Sequence, residues 1–352
     1  MNFIAFTVKG LEKIAADEIK EIIYDAQILE IQDKRVVFSS NTSYEKMTLL
    51  RTVDDVGILA LKNTNVTTIQ DISNCIKEMD FYAVQKQFEG FRKISVGTFS
   101  FTVSMANVKD LKTSEVEEAV IDLISQKYGW KTIEKDHTNF DIRLFIDKNI
   151  LYISIRLTAH SLQHRSYKVE SQEGSLRPTV AAAMVRLATK DESTLKVVDN
   201  FCGSGTILCE ALLSNQDIYG GDIDPDAVAI TNLNLSHISS LPVERIKIQS
   251  ATNTKWPNDY FDVAISNLPW DKQIVVNSIT DLYSGTLQEY KRIMKENSTI
   301  CVLVSKPELF IKHAKAAFPR ATIEATKISF TGQSPTIVLL TNSGYNDSYD
   351  LL

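Results

Sequence analysis

Basic charge is in short supply. The chain of 352 residues carries 38 lysines and arginines against 44 aspartates and glutamates, a formal net charge of −6. That balance counts against a strongly basic nucleic-acid binder, although a local positive patch can form on an acidic protein. Neither half is a basic arm: residues 1–160 hold 20 basic and 23 acidic side chains, and residues 161–352 hold 18 and 21. Cysteine is scarce as well. Cys75, Cys202, Cys209 and Cys301 include no C-x-x-C pair, which argues against a zinc or iron–sulfur site and against a disulfide framework. Long apolar runs are missing, and none approaches the length of a membrane span. The first residues alternate and meet Lys9 and Glu12 at once, unlike a secretory leader. The expectation is a cytoplasmic protein with no membrane segment and no metal. No protein partner is implied, and a monomer is compatible with the sequence.

The length suggests two or three domains. A strand over 2–8, a helix to about Tyr24, strands over 27–32 and 34–39, a short helix near 42–49 and a strand near 56–61 make a first α+β unit. A second unit has helices near 68–79 and 114–128 and an alternating segment over 93–103. Two strands over 140–146 and 150–157 close it, joined by a polar turn. Residues 158–174 read as a linker, and Pro178 starts a helix. From there strands and helices alternate. The strands fall near 195–199, 216–221, 244–249, 261–266 and 299–305, and two adjacent strands end the series at 321–329 and 335–341. That order predicts a mostly parallel sheet with an antiparallel ending.

Three stretches carry chemistry. The first is Leu195-Lys-Val-Val-Asp-Asn-Phe-Cys-Gly-Ser-Gly-Thr206, an apolar strand ending at Asp199, a turn with Gly203 and Gly205, and a helix start. Such a turn presents backbone donors to a ligand at the carboxyl end of a strand. The second is Asp222, 23 residues after Asp199 at the end of the next strand. A carboxylate there can accept both hydroxyls of a ribose, in a nicotinamide enzyme as well as in a methyltransferase. Asp224 and Asp226 suit the following helix start, and Asp224 is a weaker candidate for an adenosine-side contact. The third is Ile265-Ser-Asn-Leu-Pro-Trp270, a polar and aromatic loop at a strand tip.

Two resemblances attach to these residues. The run Phe140-Asp-Ile-Arg-Leu-Phe-Ile-Asp-Lys-Asn-Ile-Leu-Tyr-Ile-Ser-Ile155 resembles the end of a THUMP domain, an RNA-binding module usually preceded by a ferredoxin-like domain. The stretches Ser161-Leu-Gln-His-Arg-Ser-Tyr167 and Ser175-Leu-Arg-Pro-Thr-Val-Ala-Ala-Ala183 are similar to the junction of THUMP-containing RNA methyltransferases. The resemblance implies an α/β chain with four parts. These are a ferredoxin-like domain at 1–61, a THUMP domain at 62–157, a linker at 158–177 and a Rossmann-like, seven-stranded class I methyltransferase domain at 178–352. It implies S-adenosyl-L-methionine as cofactor, held by Asp199, Phe201, Cys202, Gly203, Ser204, Gly205, Thr206, Asp222, Ile223, Thr252, Asn253 and Asn267.

The loop Asn267, Leu268, Pro269 and Trp270 resembles the Asn-Pro-Pro-Tyr motif of methyltransferases acting on amino groups conjugated to a ring or carbonyl. In that reading the Asn267 side-chain oxygen and the Leu268 carbonyl accept the two amino N–H bonds, Pro269 stiffens the turn, and Trp270 stacks on the base. The implied reaction is methyl transfer to guanosine N2 in structured RNA, with the tRNA acceptor stem first. Ribosomal RNA is the alternative substrate, and a non-catalytic RNA-binding scaffold the alternative class. Arg165, Tyr167, Arg177, Lys86, Arg92 and Lys93 are the candidate RNA contacts. The chain departs from the family where Asn200 replaces a proline, where Thr252 or Asn253 stands near an expected adenine-binding acid, and where Asp271 replaces a glycine.

Overall fold

A computed structural model describes the chain apart from residues 92, 94–96, 135–139, 191–193, 241–244, 271–278, 330–331 and 343–352. Contacts group these residues into two units, Met1–Thr7 with Ala15–Leu162 and Val8–Ile14 with Gln163–Leu352.

Alternation builds the first unit. In β1 (Asn2–Phe6), Phe3 and Ala5 join one apolar cluster while Ile4 and Phe6 join another, as a period of two requires. After α1 (Glu12–Ile22) come β2 (Gln27–Gln32), β3 (Arg35–Ser39), α2 (Tyr44–Thr48) and β4 (Asp55–Asn63). A capping box opens α3 (Ile69–Glu78): Thr68 Oγ1 accepts the Asp71 N–H, and the Asp71 carboxylate accepts the Thr68 N–H. The next helix, α4 (Phe81–Glu89), is one that the sequence reading passes over. Asp80 caps it, and Phe81, Val84 and Phe88 bury one face. There follow β5 (Thr98–Ala106), α5 (Thr113–Tyr128), β6 (Lys131–Thr132), β7 (Asp141–Asp147) and β8 (Ile150–Arg156). Of the alternating segment read over 93–103, Thr98 onward lies in β5, and residues 94–96 are outside the described residues.

These strands form one eight-stranded sheet in the order β2-β3-β1-β4-β8-β7-β5-β6. The division read at 61/62 falls inside β4, which pairs antiparallel with β8 from Gly57↔Arg156 to Asn63↔Leu151. The two front modules therefore share a sheet and a core.

The second unit starts from α6 (Pro178–Thr189), whose proline sits in the first turn, where its missing N–H costs nothing. Then come β9 (Lys196–Asp199), α7 (Thr206–Leu213), β10 (Asp217–Asp222), α8 (Pro225–Ser236), β11 (Ile246–Ile248) and β12 (Phe261–Asn267). The unit ends with α9 (Ile279–Ile293), β13 (Met294–Val304), α10 (Pro307–Ala317), β14 (Thr322–Lys327) and β15 (Thr336–Asn342). The sheet order is β11-β10-β9-β12-β13-β15-β14, parallel except for β15. Val197 packs with α6, α7 and α8 on one face, and Val198 with α9 and α10 on the other. Strand order reverses between β9 and β12. In such sheets the crevice beyond the carboxyl ends of those two strands takes the ligand.

Residues 8–14 complete this unit. Val8 and Leu11 are buried in its core, and the Lys9 carbonyl accepts the Ser329 N–H at 3.0 Å. The sequence reading assigned them to the front domain.

Candidate active site

The switch point between β9 and β12 opens into a cavity of about 660 Å³. Its floor is the turn after β9. Gly203 and Gly205 adopt φ of 52° and 79°, where glycine carries no Cβ penalty. A Cβ on Gly203 would meet nothing within 4 Å, whereas one on Gly205 would lie 2.9 Å from the Thr231 methyl. Gly203 thus faces open space, and Gly205 is a packing residue at the N-cap of α7. Several bonds fix the turn. The Cys202 N–H donates to the Gly221 carbonyl at 3.0 Å, the Thr231 hydroxyl to the Gly203 carbonyl at 2.7 Å, and the Asn234 amide to the Ser204 carbonyl at 2.8 Å.

Two carboxylates border the turn. Asp222, at the end of β10, accepts the Gly203 N–H at 2.9 Å and the Asp224 N–H at 3.1 Å. Exposed Ile223 stands beside it on the cavity wall. Asp199 is buried, and its Oδ1 accepts the Phe201 N–H and the Ser266 hydroxyl. Burial pushes its carboxyl up to about 7, against the pull of those two donors.

The opposite wall is the tip of β12. Asn267 ends the strand, and the Leu268 N–H donates to the Leu303 carbonyl at 3.1 Å. Asn267, Leu268 and Pro269 all line the cavity. The Asn267 Oδ1 is buried and has no hydrogen-bond partner among the described residues. A buried acceptor without a donor is costly, so this oxygen is set up for a donor that arrives with a ligand.

A third wall comes from residues 172–176, at the end of the stretch read as linker and the start of the junction motif. This strap is tied down along its length. Buried Glu210 on α7 accepts Arg165 Nε at 2.9 Å and the Tyr167 hydroxyl at 2.6 Å. The Asn234 side-chain oxygen accepts the N–H groups of Val169 and Glu170. Ser175 Oγ lies 2.7 Å from Ser204 Oγ.

This geometry has relatives. Residues 165–334 match the model of the family described as UPF0020, RMKL-like, methyltransferase domain, and residues 66–156 match that of the THUMP domain. The chain carries a THUMP domain and an RMKL-like methyltransferase domain. A tRNA (guanine(6)-N2)-methyltransferase from Archaeoglobus fulgidus is 24% identical over 92% of this chain and 88% of its own. The human U6 snRNA (guanine-N(2))-methyltransferase THUMPD2 is 31% identical over 56% of this chain, and the match spans 38% of that protein. The crystal structure of TrmN from Thermus thermophilus superposes with a TM-score of 0.79 at 21% identity, covering 97% of this chain and 99% of that one. At that identity the likeness speaks for the fold.

The cofactor that the sequence resemblance implies for the RMKL-like methyltransferase domain is S-adenosylmethionine. The cavity fits it. Its volume is in the range that takes ligands of that size, about 300–1,000 Å³. Three lining residues keep a buried polar atom unpaired among the described residues: Asp199 Oδ2, Asn200 Nδ2 and Asn267 Oδ1. Asp199, Asn200 and Gly203 would meet the amino-acid end, and Asp222 and Ile223 the nucleoside.

Of the residues read from the sequence, Asp199, Phe201, Cys202, Gly203, Ser204, Thr206, Asp222, Ile223, Asn267, Leu268 and Pro269 line the one cavity. Others are placed elsewhere. Thr252 and Asn253 are exposed and off the wall, and Ser250 and Ala251 line it instead. The turn after β11 folds back through an Asn253-to-Ser250 backbone bond, which sends the two predicted residues outward. Trp270 packs against the core that contains α6 and does not line the cavity, so a stacking role is not what this structure displays. Tyr167 is 3% exposed with its hydroxyl on Glu210, and Arg165 shares that carboxylate; both tie the strap down rather than face RNA. Arg177 is half-buried at the N-cap of α6, Lys86 and Lys93 are exposed, and Arg92 and Asp271 lie outside the described residues. The sequence reading missed the strap, Asn200 and Leu282 as parts of the wall.

Proposed function

We propose that this protein transfers a methyl group from S-adenosylmethionine to the exocyclic N2 of a guanosine in structured RNA, with the acceptor stem of tRNA as the first substrate. The carrying observation is the buried Asn267 oxygen at the tip of β12, unpaired among the described residues and on the same cavity as the glycine turn. When bound, S-adenosylmethionine supplies an electrophilic methyl group. The amino group of guanine is a poor nucleophile because its lone pair is delocalised. Asn267 Oδ1 accepts one of its N–H bonds and the Leu268 carbonyl the other, which aims the nitrogen and favours its rehybridisation.

The target base must leave its stack to reach this depth, at a cost of about a few kcal/mol. The THUMP domain supports an RNA substrate. The tRNA reading draws support from the archaeal relative, matched over most of both chains and named a tRNA (guanine(6)-N2)-methyltransferase. Its substrate pool would be cytoplasmic.

The test is transfer of labelled methyl from S-adenosylmethionine to unmodified tRNA transcripts, followed by nucleoside digestion and mass spectrometry. N2-methylguanosine confined to one stem position is the expected product. Label on adenosine, or none on any RNA, rejects the reading.

A further inference from the structure

One carboxylate in the cavity is held from one side only. Asp199, on β9, is 1% exposed. Its Oδ1 accepts the Phe201 N–H at 3.0 Å and the Ser266 hydroxyl at 2.7 Å. Its Oδ2 is buried and unpaired among the described residues. Behind Ser266 stands a second hydroxyl, that of Tyr290 on α9, with its oxygen 2.9 Å from Ser266 Oγ. Both side chains are fully buried, and neither lines the cavity. A serine hydroxyl has one hydrogen to give. Since Ser266 gives it to Asp199, Tyr290 donates to Ser266. Three elements thus supply a directed chain of hydroxyls that ends on one oxygen of a cavity carboxylate.

We propose that Ser266 and Tyr290 are positioning residues for Asp199: they pin Oδ1 so that Oδ2 stays poised for the cationic amino end of the cofactor, and Asp199 gives up a proton as that end binds. The inference rests on reading the cavity as the S-adenosylmethionine site. Burial and the like charge of Asp222 favour a proton on Asp199 while no cation is near, and the Ser266 hydroxyl and the Phe201 N–H oppose it. Asp222 on β10 is a like charge, the Cys202 thiol is buried and itself pushed well above its usual range, and burial acts most strongly of all. A cation at Oδ2 reverses that sum. The proton passes from the carboxyl to the buffer, so the step is balanced without a co-reactant.

The test uses the full chain and S-adenosylmethionine, with calorimetric titrations from pH 5.5 to 8.5 in two buffers of different ionisation enthalpy. If only ionised Asp199 binds, and only to the cationic amino end, with an Asp199 midpoint of about 7 and an α-amino group that titrates at about 7.7–8.0, affinity rises about fivefold between pH 6 and pH 7 and falls again above about pH 8. Close to one proton is released per binding event at pH 6, and release gives way to uptake by the ligand's amino group above about pH 8. Ser266→Ala removes a donor to the carboxylate, so the midpoint moves up and proton release persists to higher pH. Tyr290→Phe moves it the same way by less, Ser266→Thr restores it, and Asp199→Asn abolishes the release. Ser266→Ala and Tyr290→Phe proteins that keep the wild-type midpoint and proton count would overturn the proposal, as would release that survives in Asp199→Asn.

A ligand-free readout separates this from the cofactor reading. The pH at which Asp199 stops contributing to thermal stability, taken as wild type minus Asp199→Asn, should move up in the Ser266→Ala background. If S-adenosylmethionine binds at no pH, the cofactor reading fails and the ligand half of the proposal with it. An unmoved melting profile rejects the positioning role whether or not the ligand binds.

Discussion

At the scale of single residues, Asn267 and Asp199 share a cavity and differ in task. Asn267 offers a neutral acceptor to a group that arrives with substrate, so its removal should spare cofactor binding. Asn267→Ala is expected to lower kcat by about 10²–10³-fold, the loss seen when one preorganised hydrogen-bonding group is deleted from an active site. The affinity for S-adenosylmethionine should stay within about twofold of wild type by calorimetry, far short of a tenfold loss worth about 1.4 kcal/mol.

Asp199 should write its burial into the stability of the ligand-free protein. Its folded-state carboxyl titrates at about 7, above the ordinary carboxylate value. The fold therefore favours the protonated form. The contribution is fully present below about pH 4, falls by up to about 1.4 kcal/mol per pH unit, and levels off above about 7. Chemical denaturation of wild type and Asp199→Asn between pH 4 and 8 should show that difference; parallel curves would contradict it. The Asn267 loop was legible in the sequence because its chemistry is contiguous and sits at a strand tip. The adenine-side wall was not, because a backbone bond from Asn253 to Ser250 decides which side chain turns inward. The packing of Trp270 was not legible for a similar reason: its neighbours in the core come from distant segments.

At the scale of elements, periodicity made most helices and strands readable, down to the antiparallel ending of the second sheet. The strap over 165–176 escaped because it has no period. Its course is set by partners far along the chain: Glu210, Asn234 and Ser204. Glu210 is the root of that arrangement. Glu210→Ala leaves Arg165 and the Tyr167 hydroxyl without their shared acceptor, and breaking a buried pair from one side costs about 3–5 kcal/mol. Lower thermal stability and a weaker affinity for S-adenosylmethionine are expected together, since the strap forms part of the cavity wall. Faster proteolysis within 168–176 would locate the loosening. A variant that loses stability but keeps full cofactor affinity would show that the wall stands without its root.

At the scale of the whole molecule, the two front modules read from the sequence share one sheet. Strand β4 belongs to both front modules at once through its pairing with β1 and β8. Pairing between strands nearly a hundred residues apart leaves no local signature, so the shared sheet was out of reach of pattern reading. The same holds for residues 8–14, which complete the methyltransferase unit. Leu11 is fully buried there. Leu11→Ala should therefore cost about 2–5 kcal/mol, and calorimetry should find the loss in the transition that S-adenosylmethionine protects. A loss confined to a transition the cofactor leaves unmoved would assign Leu11 to the other unit.

That early segment also has a consequence for biosynthesis. Lys9 meets Ser329 in the finished protein, yet roughly 300 residues of translation separate them, at about 5–20 residues per second. The Lys9–Ser329 pairing cannot form until residue 329 has left the ribosome. The Val8, Leu11 and Ile14 side chains join a cluster whose later members run from Tyr167 to Leu339. Residues 8–14 and the segment around Ser329 close the unit from opposite ends of its sequence.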